Sequence, residues 1–334
     1  MVLQITHMTT GSEMAKRLDK MRGMVWGQFL GDAAALGSHW IYNLEELGEK
    51  FPAGLCGFET PGRGHYHDGK SSGDFTHYGD AALVLLESLA EDHGFQPSAY
   101  GARFIEKMAP GNYSGYVDAA TRGTYESFLN HKETRPGEAY LFQDGADDDQ
   151  LATASSLAPL LLWHDGDPEL PSMVEGLTRV RQNNDRAVAY IQVHARLLGE
   201  LLDGRDFHTA FHRVEEEAVQ HPRFGSEFRR KFTAAIEHKH LSFEKAALTL
   251  GQSCPLISSF PSALVAALKE SEDFKAVIIG VLRGGGDNAG RAAMVGAWIG
   301  AILGESGLPQ DWMATLHARD RIICALDSAR SGQS

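Results

Sequence analysis

The chain has 334 residues, 43% hydrophobic and 22% charged, with a formal net charge of −13. That balance is ordinary for one large globular domain, and its acidity disfavours nucleic acid and anionic membrane as partners. A small anionic ligand remains compatible, because a single arginine or a helix N-terminus binds an anion against the global charge.

Residues 1–15 read as an N-terminal extension. Apolar residues at helical spacing then predict helices over 16–35, 80–91, 97–108, 151–162, 173–180 and 185–202. The first carries Gly27 and Gly31 one turn apart, a face that lets another helix come close. Between 51 and 79 lies the longest irregular segment, rich in glycine and histidine; a stretch of that length inside a compact domain is characteristically a functional loop. Further helices are predicted over 208–218, 227–238, 242–251, 262–269, 274–283, 290–303 and 310–328, the one at 242–251 ending on a glycine suited to a helix C-terminus. The helix over 290–303 is built from small residues, with Gly296, Gly300 and Gly304 in register. Residues 329–334 read as a flexible tail. No two-residue alternation lasts long enough for a sheet, so the expected fold is all-α: one orthogonal multi-helix domain over 16–328. Cys56, Cys254 and Cys324 lie far apart without metal spacing and fit reduced thiols. The first twenty residues lack a signal peptide's apolar core, and no apolar run reaches a membrane-spanning length. A soluble, cytoplasmic protein is expected.

Five stretches carry groups capable of chemistry. In "GQFLGDAAALGSHWIYN" (27–43), Asp32, His39, Trp40 and Tyr42 fall at or beyond a tight helix contact, either as capping and packing groups or as a ligand wall. In "GDFTHYGD" (73–80), Thr76, His77 and Tyr78 precede Asp80, which reads as a helix N-cap. "GADDDQ" (145–150) places Asp148 in an acidic cluster before a helix, and "RQNND" (181–185) places Asn183 and Asn184 in a turn leading into the next long helix. "RGGGDNAGR" (283–291) sets Asp287 at the mouth of the small-residue helix, followed by Asn288 and Arg291. HExxH, paired CxxC, GxSxG and P-loop patterns are absent, and the glycines at 284–286 lack the strand context of a dinucleotide fold. Cys254 has no adjacent histidine and reads as a small buried thiol.

In this order, from about residue 20 to 325, the stretches resemble the ADP-ribosylglycohydrolase family, which includes the dinitrogenase-reductase-activating glycohydrolases and the jellyfish J1 crystallins. The family's Gly-x-x-x-Gly-Asp-Ala element corresponds to Gly27, Gly31, Asp32 and Ala33. Its Thr/Ser-Asp-Asp-Thr element corresponds to Thr76-His77-Tyr78-Gly79, and its Gly-Gly-Asp-Thr-Asp-Thr element to Gly285 through Gly290. The resemblance implies an all-helical fold and a pair of Mg²⁺ ions held by the paired acids. Here His77 and Tyr78 replace both acids of the first element, and Ala289 replaces the second acid of the last. Thr76 and Asp287 alone keep oxygen ligands, which makes Mg²⁺ a doubtful cofactor. The implied activity is hydrolysis of an N-glycosidic bond on an ADP-ribosyl or related ribosyl or phosphosugar ligand. Asp287 or Asp32 would act as base or oxocarbenium stabiliser, and His39 or His77 as proton donor. Trp40, Thr76, Tyr78, Asp148, Asn183, Asn184, Asn288 and Arg291 would contact the ligand. The alternatives are a catalytically inactive ligand-binding protein and a crystallin-like structural one.

Overall fold

A computed structural model describes residues 11–269 and 271–331. Among these residues there are sixteen α-helices and no strand. In chain order they are α1 (Gly11–Ala35), α2 (Leu44–Lys50), α3 (His77–Asp92), α4 (Pro97–Met108), α5 (Ala119–Thr134), α6 (Ala158–Trp163), α7 (Leu170–Arg181) and α8 (Asp185–Leu202). They continue with α9 (Phe207–Ala218), α10 (Gly225–His238), α11 (Phe243–Leu250), α12 (Leu256–Ala267), α13 (Phe274–Arg283), α14 (Asn288–Leu303), α15 (Gln310–Thr315) and α16 (Arg319–Ser331). None of the described helices is long and apolar enough to cross a membrane. Short polar side chains start many of them: Asn43, Thr76, Asp118, Asn184, Asp206, Ser242, Asp273 and Asp287 each accept a backbone N–H of the first turn.

The central contact is α1 against α14. A Cβ at Gly27 would land on the Gly296 carbonyl, one at Gly31 on Ala292, and one at Gly23 on Gly300 and Gly304. As residue numbers rise along α1 they fall along α14, so the two helices are antiparallel and touch backbone to backbone at four-residue intervals. This contact positions the site: it brings the C-terminal end of α1 to the N-terminus of α14. The segment after α1 is then tied to the glycine loop before α14, Trp40 N donating to Gly286 O and Gly286 N to Ile41 O, both at 2.8 Å.

Several boundaries differ from the sequence expectation. Thr76, not Asp80, caps α3, so Asp80 lies inside the first turn and binds Lys70 and Tyr113 at 2.5 Å. The helix expected over 151–162 is interrupted: a 3₁₀ turn at Ala154–Ser156 precedes α6, whose Pro159 sits in its first turn. The stretch 310–328 splits into α15 and α16 because Leu316 is extended and His317 N donates to Gly73 O. In the other direction, Pro261 lies inside α12, which starts six residues before the expected 262. Of the expected extension 1–15, residues 11–15 belong to α1, and residues 1–10 lie outside the described residues. The boundary expected at 328 falls within α16, whose buried Ile322, Ala325, Leu326 and Ala329 carry the helix on; residues 332–334 lie outside the described residues.

Candidate functional site

Asp287 is fully buried at the head of α14, reached through Gly285 and Gly286, both at φ 61°. A side chain at Gly286 would meet the Gln252 side chain and carbonyl, so glycine is required there by both conformation and space. The Asp287 carboxylate accepts the Gly290 N–H at 3.2 Å, His39 Nε2–H at 3.1 Å and the Tyr78 hydroxyl at 2.8 Å. Burial alone would raise its pKa, but these donors and Cys254 hold it well below the usual carboxylate range. It is an ionised carboxylate closed to bulk solvent.

His39 links that carboxylate to a cluster of imidazoles. Its Nδ1 lies 2.8 Å from His67 Nε2, and the rings of His39, His67 and His77 stack with centroids 5.1 to 5.8 Å apart. Burial lowers the pKa of all three, that of His77 to about 3, so each is a neutral imidazole at physiological pH. Behind His77 stands Asp118, the cap of α5, with Oδ2 3.6 Å from His77 Nε2 and 3.5 Å from the Arg181 guanidinium. Burial raises the Asp118 pKa, yet His77, Arg181 and the Thr121 N–H bring it below its ordinary value. Trp40 covers the cluster, stacked on His39 at 4.1 Å and meeting Tyr66 and Tyr116 edge-on. Trp40 has φ 63°, a left-handed backbone that is costly for an aromatic residue and is held by its bond to Gly286.

Of the residues singled out in the sequence, His39, Trp40, His77, Tyr78 and Asp287 thus lie in one network. Asp32 is a neighbour of that network, outside it: it accepts the Thr76 N–H at 2.9 Å and the Thr76 hydroxyl, and burial pushes its pKa up to about 7. Thr76 is spent on that bond and on capping α3. Asn288 donates to the Ser38 hydroxyl at 3.0 Å and to Leu282 O, and Arg291 donates to Gln252 O and Gly285 O. Both pin the glycine loop from behind. Asp148 accepts from Gln150 N and the Gln182 amide, Asn184 caps α8, and Asn183 accepts from Arg179. Asn183 and Asn184 line a surface cleft of about 410 Å³ together with Asp147, Arg186 and Arg223. None of the imidazole cluster is among the residues lining it.

His67 and Asp118 escaped the sequence reading. The His65-x-His67 spacing inside the glycine- and histidine-rich loop was the available signal for the first. The second sits before a polar helix whose apolar period is too weak to notice.

A pair of Mg²⁺ ions does not fit this donor set. Magnesium takes oxygen ligands in near-octahedral geometry, and here an imidazole and a phenol bind the carboxylate, with two more imidazoles stacked beyond the first. Both oxygens of Asp287 and the Thr76 hydroxyl are engaged within the protein.

A family model described as ADP-ribosylglycohydrolase matches residues 13–333. Crystallin J1A of Tripedalia cystophora is 28% identical over 93% of this chain and 96% of its own length. Crystallin J1B of the same organism is also 28% identical, over 92% and 95%. A solved structure described as an ADP-ribosylglycohydrolase-related protein complex superposes with a TM-score of 0.73 at 22% identity, covering 95% of this chain and 99% of that one. That likeness is one of fold.

Proposed function

The chain belongs to the ADP-ribosylglycohydrolase family, and from that premise we propose that it hydrolyses the N-glycosidic bond of an ADP-ribosyl or related ribosyl substrate without paired magnesium ions. The observation that carries this reading is the Asp287 carboxylate, buried and ionised against His39 and Tyr78 and beside neutral imidazoles. A fixed carboxylate stabilises the positive charge that develops on the ribose as its bond to nitrogen breaks. Water attacks the anomeric carbon, and His77 takes its proton. Both ring nitrogens of His77 lack a hydrogen-bond partner, and Asp118 stands behind to stabilise the imidazolium. The proton returns to the departing nitrogen, which closes the balance. His39, held on both sides by Asp287 and His67, positions the carboxylate. Because these groups are closed to solvent, the roof of Trp40, Tyr66 and Tyr116 parts to admit the sugar; Tyr66 is 60% exposed and forms its outer edge.

The test is a panel of ADP-ribosyl and nucleoside N-glycosides incubated in the presence of chelator, with released sugar measured by chromatography. Turnover is expected to survive chelation of Mg²⁺ and to fall about 1,000-fold in Asp287→Asn, the scale of losing one preorganised electrostatic group. An unchanged rate in that variant removes Asp287 from the chemistry.

A second reading, a ligand-binding or crystallin-like protein that kept the fold, is favoured by the crystallin relatives that match almost end to end. Binding of ADP-ribose by calorimetry without turnover supports the first form of it. Absence of both binding and turnover supports the second.

A further inference from the structure

The buried imidazoles leave an imbalance that the hydrolase reading does not resolve. His67 Nδ1, His77 Nδ1 and His77 Nε2 are closed to solvent and have no hydrogen-bond partner, although buried polar atoms are almost always paired. One donor atom from each of His39, His67 and His77 lies within 4.8 Å of the others. We propose that His39, His67 and His77 form a binding site for a divalent transition-metal ion of the zinc class, in place of the magnesium pair that this donor set does not fit.

Three neutral imidazoles are the preferred donors of zinc and its neighbours, and they are poor ligands for magnesium. Zinc–nitrogen bonds of about 2.0 Å in tetrahedral geometry separate ligand atoms by roughly 3.3 Å. His39 Nδ1 and His67 Nε2 stand 2.8 Å apart and all three donor atoms lie within 4.8 Å of one another, so changes in separation of about 0.5 to 1.5 Å complete the site. The surroundings already have the form that metal-binding histidines need. Asp287 accepts from His39 Nε2 and so leaves Nδ1 as a lone pair aimed at His67, while Asp118 stands 3.6 Å from His77 Nε2. Carboxylates in such places fix the tautomer and orientation of a ligating ring. His65 holds the backbone, accepting the His67 N–H on Nδ1 and donating Nε2–H to His39 O. Three protein ligands leave one position open, the arrangement of catalytic zinc sites. The proposal shares residues with the hydrolase reading and changes their role, since His77 becomes a ligand where it would otherwise be the base.

Full-length protein stripped with chelator and titrated with Co²⁺ tests this directly. We expect one Co²⁺ per chain with the visible absorption of a four-coordinate site, displaced by one equivalent of Zn²⁺ and unaffected by excess Mg²⁺. His67→Gln and His77→Gln should each weaken binding about 100-fold or more, and Asp287→Asn, which removes an orienting group, between about 10- and 100-fold. The edge-on pair His208 and His212 on α9 is a competing chelator; the His208→Ala/His212→Ala double variant should leave the titration unchanged. Circular dichroism checks that the variants are folded. If they are not, X-ray absorption on zinc-loaded wild-type protein decides, with a shell of three imidazole nitrogens at about 2.0 Å expected. Absence of the cobalt band, its persistence in both histidine variants, its loss in the double variant, or an oxygen-only shell would overturn the proposal. Turnover is not read, so a chain that binds zinc and hydrolyses nothing keeps this site and loses the hydrolase.

Discussion

His194 is buried on α8, its Nδ1 accepting the Trp298 indole N–H at 2.9 Å, and burial pushes its pKa down to about 3. In the unfolded chain it titrates near 6.5. Between those values the unfolded state binds a proton that the folded state refuses, so stability falls as pH drops from about 6.5 toward 3. His194→Gln keeps an acceptor for the indole and removes the proton. Urea unfolding at pH 6, 5 and 4 should show a slope shallower by up to about 1.4 kcal/mol per pH unit, one proton's worth, reached once the pH is well below 6.5. An unchanged slope means that the folded state already admits the proton. Tyr78 offers a second test, because its hydroxyl serves the Asp287 carboxylate directly. Tyr78→Phe keeps the ring and deletes a donor to a buried charge, which should cost about 1.5–3 kcal/mol in the same unfolding assay. A cost near zero would mean that water replaces the hydroxyl. At this scale the network members His39, Trp40, His77, Tyr78 and Asp287 were readable, because each stands in a stretch with a recognisable order. His67 and Asp118 were not, since what makes them matter is proximity between residues 28 and 41 positions apart in the chain. Asn288 and Arg291 looked like lining groups in the sequence and instead hold the loop from behind, a distinction that depends on which way a side chain turns at a helix start.

Helical glycines inside and outside the contact between α1 and α14 make predictions of opposite sign. Gly27→Ala would place a methyl group on the Gly296 carbonyl, where backbone, not a flexible side chain, must give way. It should destabilise by about 3 kcal/mol, the upper part of the range for overpacking. Gly199→Ala on α8 meets nothing within 4 Å and restricts the unfolded chain, so it should stabilise by roughly 0.5–1 kcal/mol. Thermal melts of the two variants separate packing glycines from merely helical ones; equal and small shifts would mean that the helices can slide apart without cost. Apolar periodicity exposed most of the long helices, and α4, α8 and α13 begin and end where it places them. It failed for α2, which buries Leu47 alone, and for α5, which buries Ala120, Thr121 and Thr124. Helices so polar have no stripe to read. Splits such as that between α15 and α16 come from a bond to a distant loop, Gly73, and local pattern does not contain that information.

The whole molecule is held by contacts between its first and last thirds. Helix α1 lies on α14, α3 packs against both α14 and α16, and the Asp287 network joins His39 and Tyr78 to the head of α14. The chain passes between its halves at 132–139, an exposed stretch in which Gly137 has φ 91° and open space around it. Such a loop tolerates a break, because no buried backbone bond crosses it. A break after Gly137 leaves α1–α5 with all three imidazoles on one fragment and α6–α16 with Asp287 on the other. Alone, the first fragment exposes the glycine face of α1 and the apolar side of α3, and the second exposes α14, which is buried almost along its whole length. Each of these surfaces is too large and too apolar to remain in water without a partner. Fragments 1–137 and 138–334 should therefore co-purify when expressed together and melt cooperatively as one unit, while either alone aggregates or lacks a cooperative transition by circular dichroism. A cooperative melt from the isolated first fragment would divide the chain into two folding units, and His39 would then have to hold its orientation without Asp287.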